Sequence, residues 1–336
     1  MKAVRIHECG GPEKVVIEDV PRPEPGEGEV LLEVRAASLN HLDIWVRNGQ
    51  PAPILPHTLG SDAAGVVAAL GPGVRGVEVG DEVLIDPGIS CGRCEMCLAG
   101  EQSQCVAFHL IGEPAAGTFA EYAVVPAKNC HKKPPEFTWE EAAAFGLVHV
   151  TAYRMLETRA RLRAGETVLV VGVGGGVATA ALGIARALGA RVIVTSSSDE
   201  KIARAKDLGA FAGINYLTAK DVAQAAIEAN GGRGVDVVVD TVGAASWRSS
   251  LRALRKGGRL VTCGATSGGG PPADIHRIYW YQLSILGSTM GSASDMRNVL
   301  RLAQTSALRP VIDSVYPLER AKEAIARLEK GRQFGK

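Results

Sequence analysis

The sequence has no surplus of charge of either sign. Its 37 Lys and Arg stand against 36 Asp and Glu, a formal net charge of +1 over 336 residues. Nucleic-acid-binding domains usually carry a strongly basic footprint, so a nucleic acid is not an expected partner. An apolar segment of the signal-peptide kind is also missing, since Met1 to Gly10 includes Lys2, Arg5 and Glu8. Glycine is abundant, at 40 residues, but without a G-X-Y period, which excludes collagen and points to close backbone turns. The seven cysteines are odd in number and the chain is long, so a disulfide framework is not expected. No internal repeat or low-complexity tail is present. A reducing, cytoplasmic setting is the expectation, and at roughly 150 residues per domain the length suggests about two domains.

One uncharged stretch, Thr167 to Ala185, approaches the ~20-residue length of a membrane span. Gly172, Gly174, Gly175, Gly176 and Gly183 interrupt it, so it reads as a buried strand turning into a helix, and no membrane is implied. From Met1 to about Pro126 short Val, Ile and Leu runs alternate with Pro and Gly clusters, a mostly β pattern. From about Phe137 helical segments alternate with short apolar strands, the pattern of βαβ units around a parallel, doubly wound sheet in an α/β fold. Strands are expected at 167–171, 191–195, 235–240, 258–263 and 285–288. Helices are expected at 177–188, 199–208, 221–229, 246–254, 293–304 and 318–330.

The run Val171-Gly172-Val173-Gly174-Gly175-Gly176-Val177 lies between a strand and a helix. A dinucleotide pyrophosphate needs such a turn, because glycine lets the backbone approach and helix-start N–H groups hold the phosphates. Val177 departs from strict G-x-G-x-x-G, and a ligand-free tight turn is the alternative. The next strand ends in Ser196 and Ser197 rather than an acidic residue, with Lys201 and Arg204 one helical turn on. Hydroxyl donors and a lysine suit a 2′-phosphate, so NADP is expected before NAD, although the serines also suit a helix cap.

Cys91, Cys94, Cys97 and Cys105 have spacing C-x2-C-x2-C-x7-C. Four thiolates within so short a span enclose one tetrahedral zinc and leave no open position, which marks a structural site. Cys9, Cys130 and Cys263 lie apart from it and read as small buried hydrophobes.

Several of these features together resemble the medium-chain dehydrogenase/reductase superfamily over nearly the whole chain. The motifs are Gly60-Ser61-Asp62-Ala63-Ala64-Gly65-Val66-Val67, Gly71-Pro72-Gly73-Val74 and Val79-Gly80-Asp81-Glu82-Val83, beside the four cysteines and the nucleotide turn. The resemblance implies a GroES-like β-rich catalytic domain over 1–126, with a zinc lobe at 88–106 and completion by 308–336. It implies a Rossmann nucleotide-binding domain over 127–307. Ala36-Ala37-Ser38-Leu39-Asn40-His41-Leu42-Asp43 and the Gly174 to Val177 turn are similar to the quinone oxidoreductase branch, whereas the cysteine lobe is similar to zinc alcohol dehydrogenases. Zinc alcohol dehydrogenases usually carry a Cys where Asn40 aligns, Gly-His-Glu at Gly60-Ser61-Asp62, and a third ligand at Leu147. Those replacements make an ordinary catalytic zinc unexpected; His41, His57 and His149 are the nearby candidates for an unorthodox one.

The resemblance therefore implies zinc-independent hydride transfer from NADPH to a quinone or α,β-unsaturated carbonyl. Asn40 is the expected donor near the reacting oxygen, Asp43 its orienter, and Asp62 a proton donor or an inter-domain ion-pair partner. Thr151 is expected at a helix start near the nicotinamide, and Tyr216 by the adenosine. Thr241, Gly264, Ala265, Gly287 and Ser288 follow strands at their carboxyl ends, where such sheets bind ligands. Asp240 reads as structural. Two other functions stay open: an alcohol or aldehyde dehydrogenase with an atypical catalytic metal, and a non-catalytic NADP-binding protein. A homodimer, or a tetramer, is expected through the apolar sheet edge at 285–290.

Overall fold

The computed structural model describes all 336 residues. They divide into a first unit, Met1–Leu147 with Pro310–Phe334 and Lys336, and a second, Val148–Arg309 with Gly335.

The first unit holds β1 (Lys2–Ile6), β2 (Val15–Asp19), β3 (Glu29–Ser38), α1 (His41–Arg47), β4 (His57–Thr58), β5 (Asp62–Leu70) and β6 (Glu82–Ile85). It continues with β7 (Gly88–Ile89), α2 (Glu95–Leu98), β8 (His109–Leu110), β9 (Tyr122–Pro126), β10 (Cys130–Lys132) and α3 (Trp139–Ala143). Five strands form an antiparallel sheet in the order β10-β6-β5-β3-β9, three form β2-β1-β4, and β7-β8 is a small hairpin. Val30, Leu32, Ala63, Val67, Val83, Ile85 and Val125 meet in one apolar cluster. Each such fully buried aliphatic side chain stabilises the fold by about 1.5–3 kcal/mol. A second cluster joins Val4, Ile6 and Val15 to Ile44 and Val46 of α1 and to Ile325 in the helix Ala321–Glu329, so the returning segment completes this unit's core. The first boundary falls at Leu147 rather than at residue 126. The reason is pairing: β10 adds to β6, and α3 packs on β3 and β5, which binds 127–147 to the β-rich unit.

The register of β3 and β5 is what positions the candidate site. Ser38 pairs with Asp62, so the chain leaving β3 enters α1 beside the first residue of β5. Asn40 precedes α1 in an extended conformation and Asp43, three residues on, accepts the Asn40 backbone N–H at 2.6 Å. That local bond starts a short helix within a region that the sequence pattern marks as strand.

The chain division falls inside α4 (Gly146–Tyr153), which continues into a π-helical turn, Arg154–Arg159. The second unit then alternates β11 (Thr167–Val170), α5 (Gly176–Ala187), β12 (Arg191–Ser196), α6 (Asp199–Asp207), β13 (Ala212–Asn215) and α7 (Val222–Ala229). It closes with β14 (Val235–Asp240), α8 (Ala244–Ala253), β15 (Leu254–Thr262), α9 (Ile275–Tyr281), β16 (Ser284–Gly287) and α10 (Ala293–Thr305). All six strands are parallel, in the order β13-β12-β11-β14-β15-β16. The order reverses between β11 and β14, the place where open α/β sheets bind ligands at their carboxyl ends. β11 and β14 are buried on both faces, which accounts for the apolar runs at 168–170 and 237–239. The sequence pattern misses β13, a short edge strand rich in Ala and Gly, and α9. It also starts β15 late: the strand follows α8 directly at Leu254, with a register shift before Val237. The helix expected from Leu318 opens as a 3-10 turn, Leu318–Arg320, before Ala321. No helix is long and apolar enough to cross a membrane.

Candidate active site and metal lobe

In the first unit a buried polar cluster forms around Asn40. Its Nδ2 donates to Asp62 Oδ2 at 2.9 Å and, weakly, to the Ser38 carbonyl at 3.4 Å. Its Oδ1 accepts from Lys336 Nζ at 2.6 Å, and the same ammonium donates to the Leu39 carbonyl at 2.5 Å. Lys336 Nζ lies 3.7 Å from Asp62 Oδ2, and the two side chains are 5% and 0% exposed. The other Asp62 oxygen accepts the Leu147 backbone N–H at 2.8 Å, at the start of α4, where a carboxylate suits the helix dipole. A Cβ at Gly146 would lie 2.6 Å from that oxygen, so glycine is what lets Asp62 reach the helix.

Burial pushes the Asp43 carboxyl up to about 7, against the Asn40 N–H and the Lys336 charge, which pull it down. Burial likewise raises Asp62, opposed by Lys336, and lowers Lys336, opposed by Asp62 and Asp43. Two buried carboxyl groups therefore face one buried cation. The donor expected of Asn40 is differently used: its amide hydrogens already face Asp62 and Ser38. Asp43 meets Asn40 only through the backbone, accepting its N–H. The ion-pair partner of Asp62 is Lys336, within the same unit, rather than a residue of the second. Lys336 itself has no signal in the local sequence; only the fold brings it to Asn40, 296 residues away.

The three histidines make no metal site with these groups. His57 is buried with Nε2 at 3.1 Å from the Gly112 carbonyl. Burial first, then Lys336, lowers the pKa of His41. His149 belongs to the second unit. The one group of His, Cys, Asp or Glu ligand atoms close enough to share an ion is Cys91, Cys94, Cys97 and Cys105, all within 4.8 Å of one another. Cys91 Sγ and Cys97 Sγ are 4.0 Å apart. This is near the ~3.8 Å edge of a tetrahedron with Zn–S bonds of ~2.3 Å, so the four sulfurs fit a zinc ion. Backbone N–H groups of Cys91 and Ala107 approach Cys105 Sγ at 3.4 Å each, and those of Arg93 and Cys94 lower the Cys91 thiol to about 6. The donor set is closed, so a zinc there would hold the lobe and supply no open coordination position. Burial pushes Cys130 and Cys263 up to about 12, in keeping with inert thiols.

In the second unit Gly172 and Gly174 take φ of +73° and +128°, and Gly175 caps α5 without any side-chain hydrogen bond. A Cβ on Gly175 would meet nothing within 4 Å. The turn thus presents uncapped helix-start N–H groups across open space, as a pyrophosphate requires. Thr195, which the sequence pattern did not single out, ties the turn to β12: its Oγ1 accepts from Gly172 N–H at 3.0 Å and its carbonyl from Val173 N–H at 2.7 Å. Ser196 is buried and accepts from Ser198 N–H, Ser197 is exposed, and Ser198 caps α6 by accepting from the Lys201 N–H. Asp199 Oδ1 accepts from Asn215 Nδ2 at 2.9 Å, which places a carboxylate beside the end of β12. Tyr216 is half exposed and its N–H donates to the Ser196 carbonyl. Thr241, Gly264, Ala265, Gly287 and Ser288 all end strands or follow them on the same side of the sheet as the turn. Ser288 Oγ is buried without a hydrogen-bond partner, and Gly287 faces open space. These features fit a dinucleotide held by Gly174, Gly175, Gly176 and Val177, with Ser288 as an available donor. Thr151 lies well inside α4 rather than at its start, with Oγ1 at 3.5 Å from Met290 Sδ. Asp240 accepts from Val242 and Gly243 N–H and from Ser246 and Ser250 hydroxyls, a structural role.

The family model described as "Alcohol dehydrogenase GroES-like domain" matches residues 26–135, and "Zinc-binding dehydrogenase" matches 176–305. The chain is a medium-chain dehydrogenase/reductase. An NAD-dependent alcohol dehydrogenase of Sulfolobus acidocaldarius is 35% identical over 100% of this chain and 98% of its own. An acryloyl-coenzyme A reductase of Sulfurisphaera tokodaii is 32% identical with the same coverage. A solved structure described as an NAD-dependent alcohol dehydrogenase superposes with a TM-score of 0.96 at 46% identity, covering 100% of this chain and 98% of that one. As a member of this superfamily the chain is an NAD(P)-dependent oxidoreductase, with a GroES-like unit and a Rossmann-type sheet.

Proposed function

We propose that this medium-chain dehydrogenase/reductase reduces a conjugated carbonyl, an enone, enal, quinone or enoyl thioester, at a reacting centre that uses no zinc. The observation that carries this reading is the Asn40 cluster. Where the resemblance aligns metal ligands stand an amide, a hydroxyl with a carboxylate, and an aliphatic side chain, and the Lys336 ammonium lies beside the amide of Asn40 and the carboxylate of Asp62. A bound reduced nicotinamide would supply a hydride. With conjugation, the resulting negative charge spreads into an enolate, which demands less of the protein than an isolated carbonyl does. The acryloyl-coenzyme A reductase relative supports a conjugated substrate; the relatives named alcohol dehydrogenases support alcohol oxidation as the second reading.

For the cofactor, Asp199 changes the balance. Its carboxylate, held by Asn215 at the end of β12, opposes a 2′-phosphate, and two of the relatives above are named NAD-dependent. NAD is therefore proposed ahead of NADP, the reverse of what Ser196, Ser197 and Lys201 suggest by residue type. The turnover ratio with NADH and NADPH, over a panel of enals, enones, quinones, enoyl thioesters and alcohols, tests both parts. Alcohol oxidation alone would refute the substrate reading, and dinucleotide binding without any turnover would favour a non-catalytic protein. A homodimer is also proposed, through the open edge at β16, where Ile285 and Leu286 are half-buried and Ile275, Tyr279 and Trp280 of α9 are exposed. A monomer in sedimentation would refute it.

A further inference from the structure

Of the seven cysteines, Cys91 is the one that is exposed. It lies outside any strand or helix and precedes Gly92, which takes a φ of +73° and whose Cβ would meet nothing within 4 Å. The other sulfurs of the lobe are set deeper: Cys94 is half-buried, and Cys97 and Cys105 are 7% and 6% exposed. Cys97 is also fixed, because it belongs to α2. Its Sγ is 4.0 Å from that of Cys91, so a disulfide, with an S–S bond of ~2.05 Å, needs the two to close by only about 2 Å. Metal ligation keeps such groups as thiolates, the form that attacks an oxidant. Exposure then decides which sulfur meets the oxidant first.

We propose that Cys91 is a modification site for a peroxide, and that Cys97 resolves the product into a disulfide that leaves the lobe unable to hold zinc. The Cys91 thiolate attacks one oxygen of hydrogen peroxide; an S–O bond forms, the O–O bond breaks and hydroxide departs, leaving a sulfenic acid. The Cys97 thiolate then attacks that sulfur. An S–S bond forms, and the S–O electron pair leaves with a second hydroxide. Two thiolates thus give up two electrons, and the peroxide takes them. Cys94 and Cys105 remain, two ligands where a structural zinc site takes four. The base of the lobe is tied to its surroundings in the first unit: Lys128 Nζ donates to the Ser90 carbonyl at 2.8 Å, and Asn129 Nδ2 donates to the Asp86 and Gly88 carbonyls at 2.6 and 2.7 Å. Loss of the metal therefore lowers the stability of that unit, and a dithiol with zinc restores it. The site acts whichever substrate the enzyme reduces.

The test treats the zinc-loaded full chain with hydrogen peroxide, follows free zinc with a metal-binding dye, and maps the cysteines by mass spectrometry of unreduced peptides. Release of about one zinc per chain is expected, together with a Cys91–Cys97 disulfide. Dimedone, which traps sulfenic acids, should label Cys91. Dithiothreitol with added zinc should return both the metal content and the thermal midpoint to their starting values. Cys9→Ser, Cys130→Ala and Cys263→Ala combined in one chain should release zinc at the wild-type rate, because these thiols lie outside the lobe. Zinc retained while other thiols oxidise would overturn the proposal. So would first labelling at Cys94, a disulfide of any other pairing, a disulfide joining two chains through Cys91, or markedly slower release in the triple variant. If the triple variant does not fold, the peptide map of the wild type decides alone.

Discussion

Asp62 and Lys336 are expected to behave as one energetic unit, which a double-mutant cycle on stability can measure. Asp62→Asn keeps the size of the side chain but removes its charge, leaving the Lys336 ammonium 5% exposed and facing Asp43 as its remaining anion. It also turns an N–H₂ toward either Asn40 Nδ2 or the Leu147 N–H, both of which need an acceptor. Breaking a buried pair from one side costs about 3–5 kcal/mol. Lys336→Met strands two carboxylates instead, and its cost has a ceiling because Asp62 can take up a proton, at about 1.4 kcal/mol per pH unit. Independent sites would sum to roughly 6–10 kcal/mol, whereas replacing both members of a buried pair is often nearly neutral. The double variant is therefore expected to lose no more than either single one. Urea unfolding reports this through Trp45 and Trp139, both in the first unit. Thermal midpoints should fall by several degrees in each single variant, at about 2–4 °C per kcal/mol for a unit of this size. Additive losses, or single losses below about 1 kcal/mol, would refute the network.

Asp43 should make the first unit sensitive to neutral pH. Its folded pKa, about 7, is raised above the ordinary 3.8 of a free Asp. Its contribution is thus fully present below about pH 4 and lost as pH rises through about 7. Asp43→Asn should flatten that loss, whose upper limit is about 4 kcal/mol at 1.36 kcal/mol per unit; an unchanged pH profile of stability would refute the shift. Gly175→Val should leave the melting temperature nearly unchanged, since its Cβ meets nothing within 4 Å, yet weaken dinucleotide binding by filling the phosphate cradle. Equal affinity in calorimetry would show that the turn is not the binding site.

The second unit was largely legible in the sequence because its signals are local. A strand buried on both faces reads as a short run of consecutive apolar residues, as at 237–239 in β14, and a glycine-rich turn names its own position. The cysteine lobe was legible for the same reason, four ligands within one short segment. Short elements were not: α1 has seven residues and starts from the Asn40–Asp43 bond rather than from any long periodicity. Edge strand β13 is too short and too poor in β-branched residues to stand out. The cluster at Asn40 was half legible. Asn40, Asp43 and Asp62 could be picked out by motif, but their partners depend on the β3–β5 register and on the return of residues 310–336, which join sites remote in sequence. Lys336 followed from neither composition nor spacing.

Zinc is expected to hold the cysteine lobe while the reacting centre works without it. Metal content and activity measured on the same preparation, before and after treatment with a chelator, test this most directly. About one zinc per chain is expected, bound by Cys91, Cys94, Cys97 and Cys105. Reduction of a conjugated carbonyl should persist until that zinc is lost together with the fold. Two zinc atoms per chain, with activity lost in proportion to the more weakly held one while the fold stays intact, would contradict it.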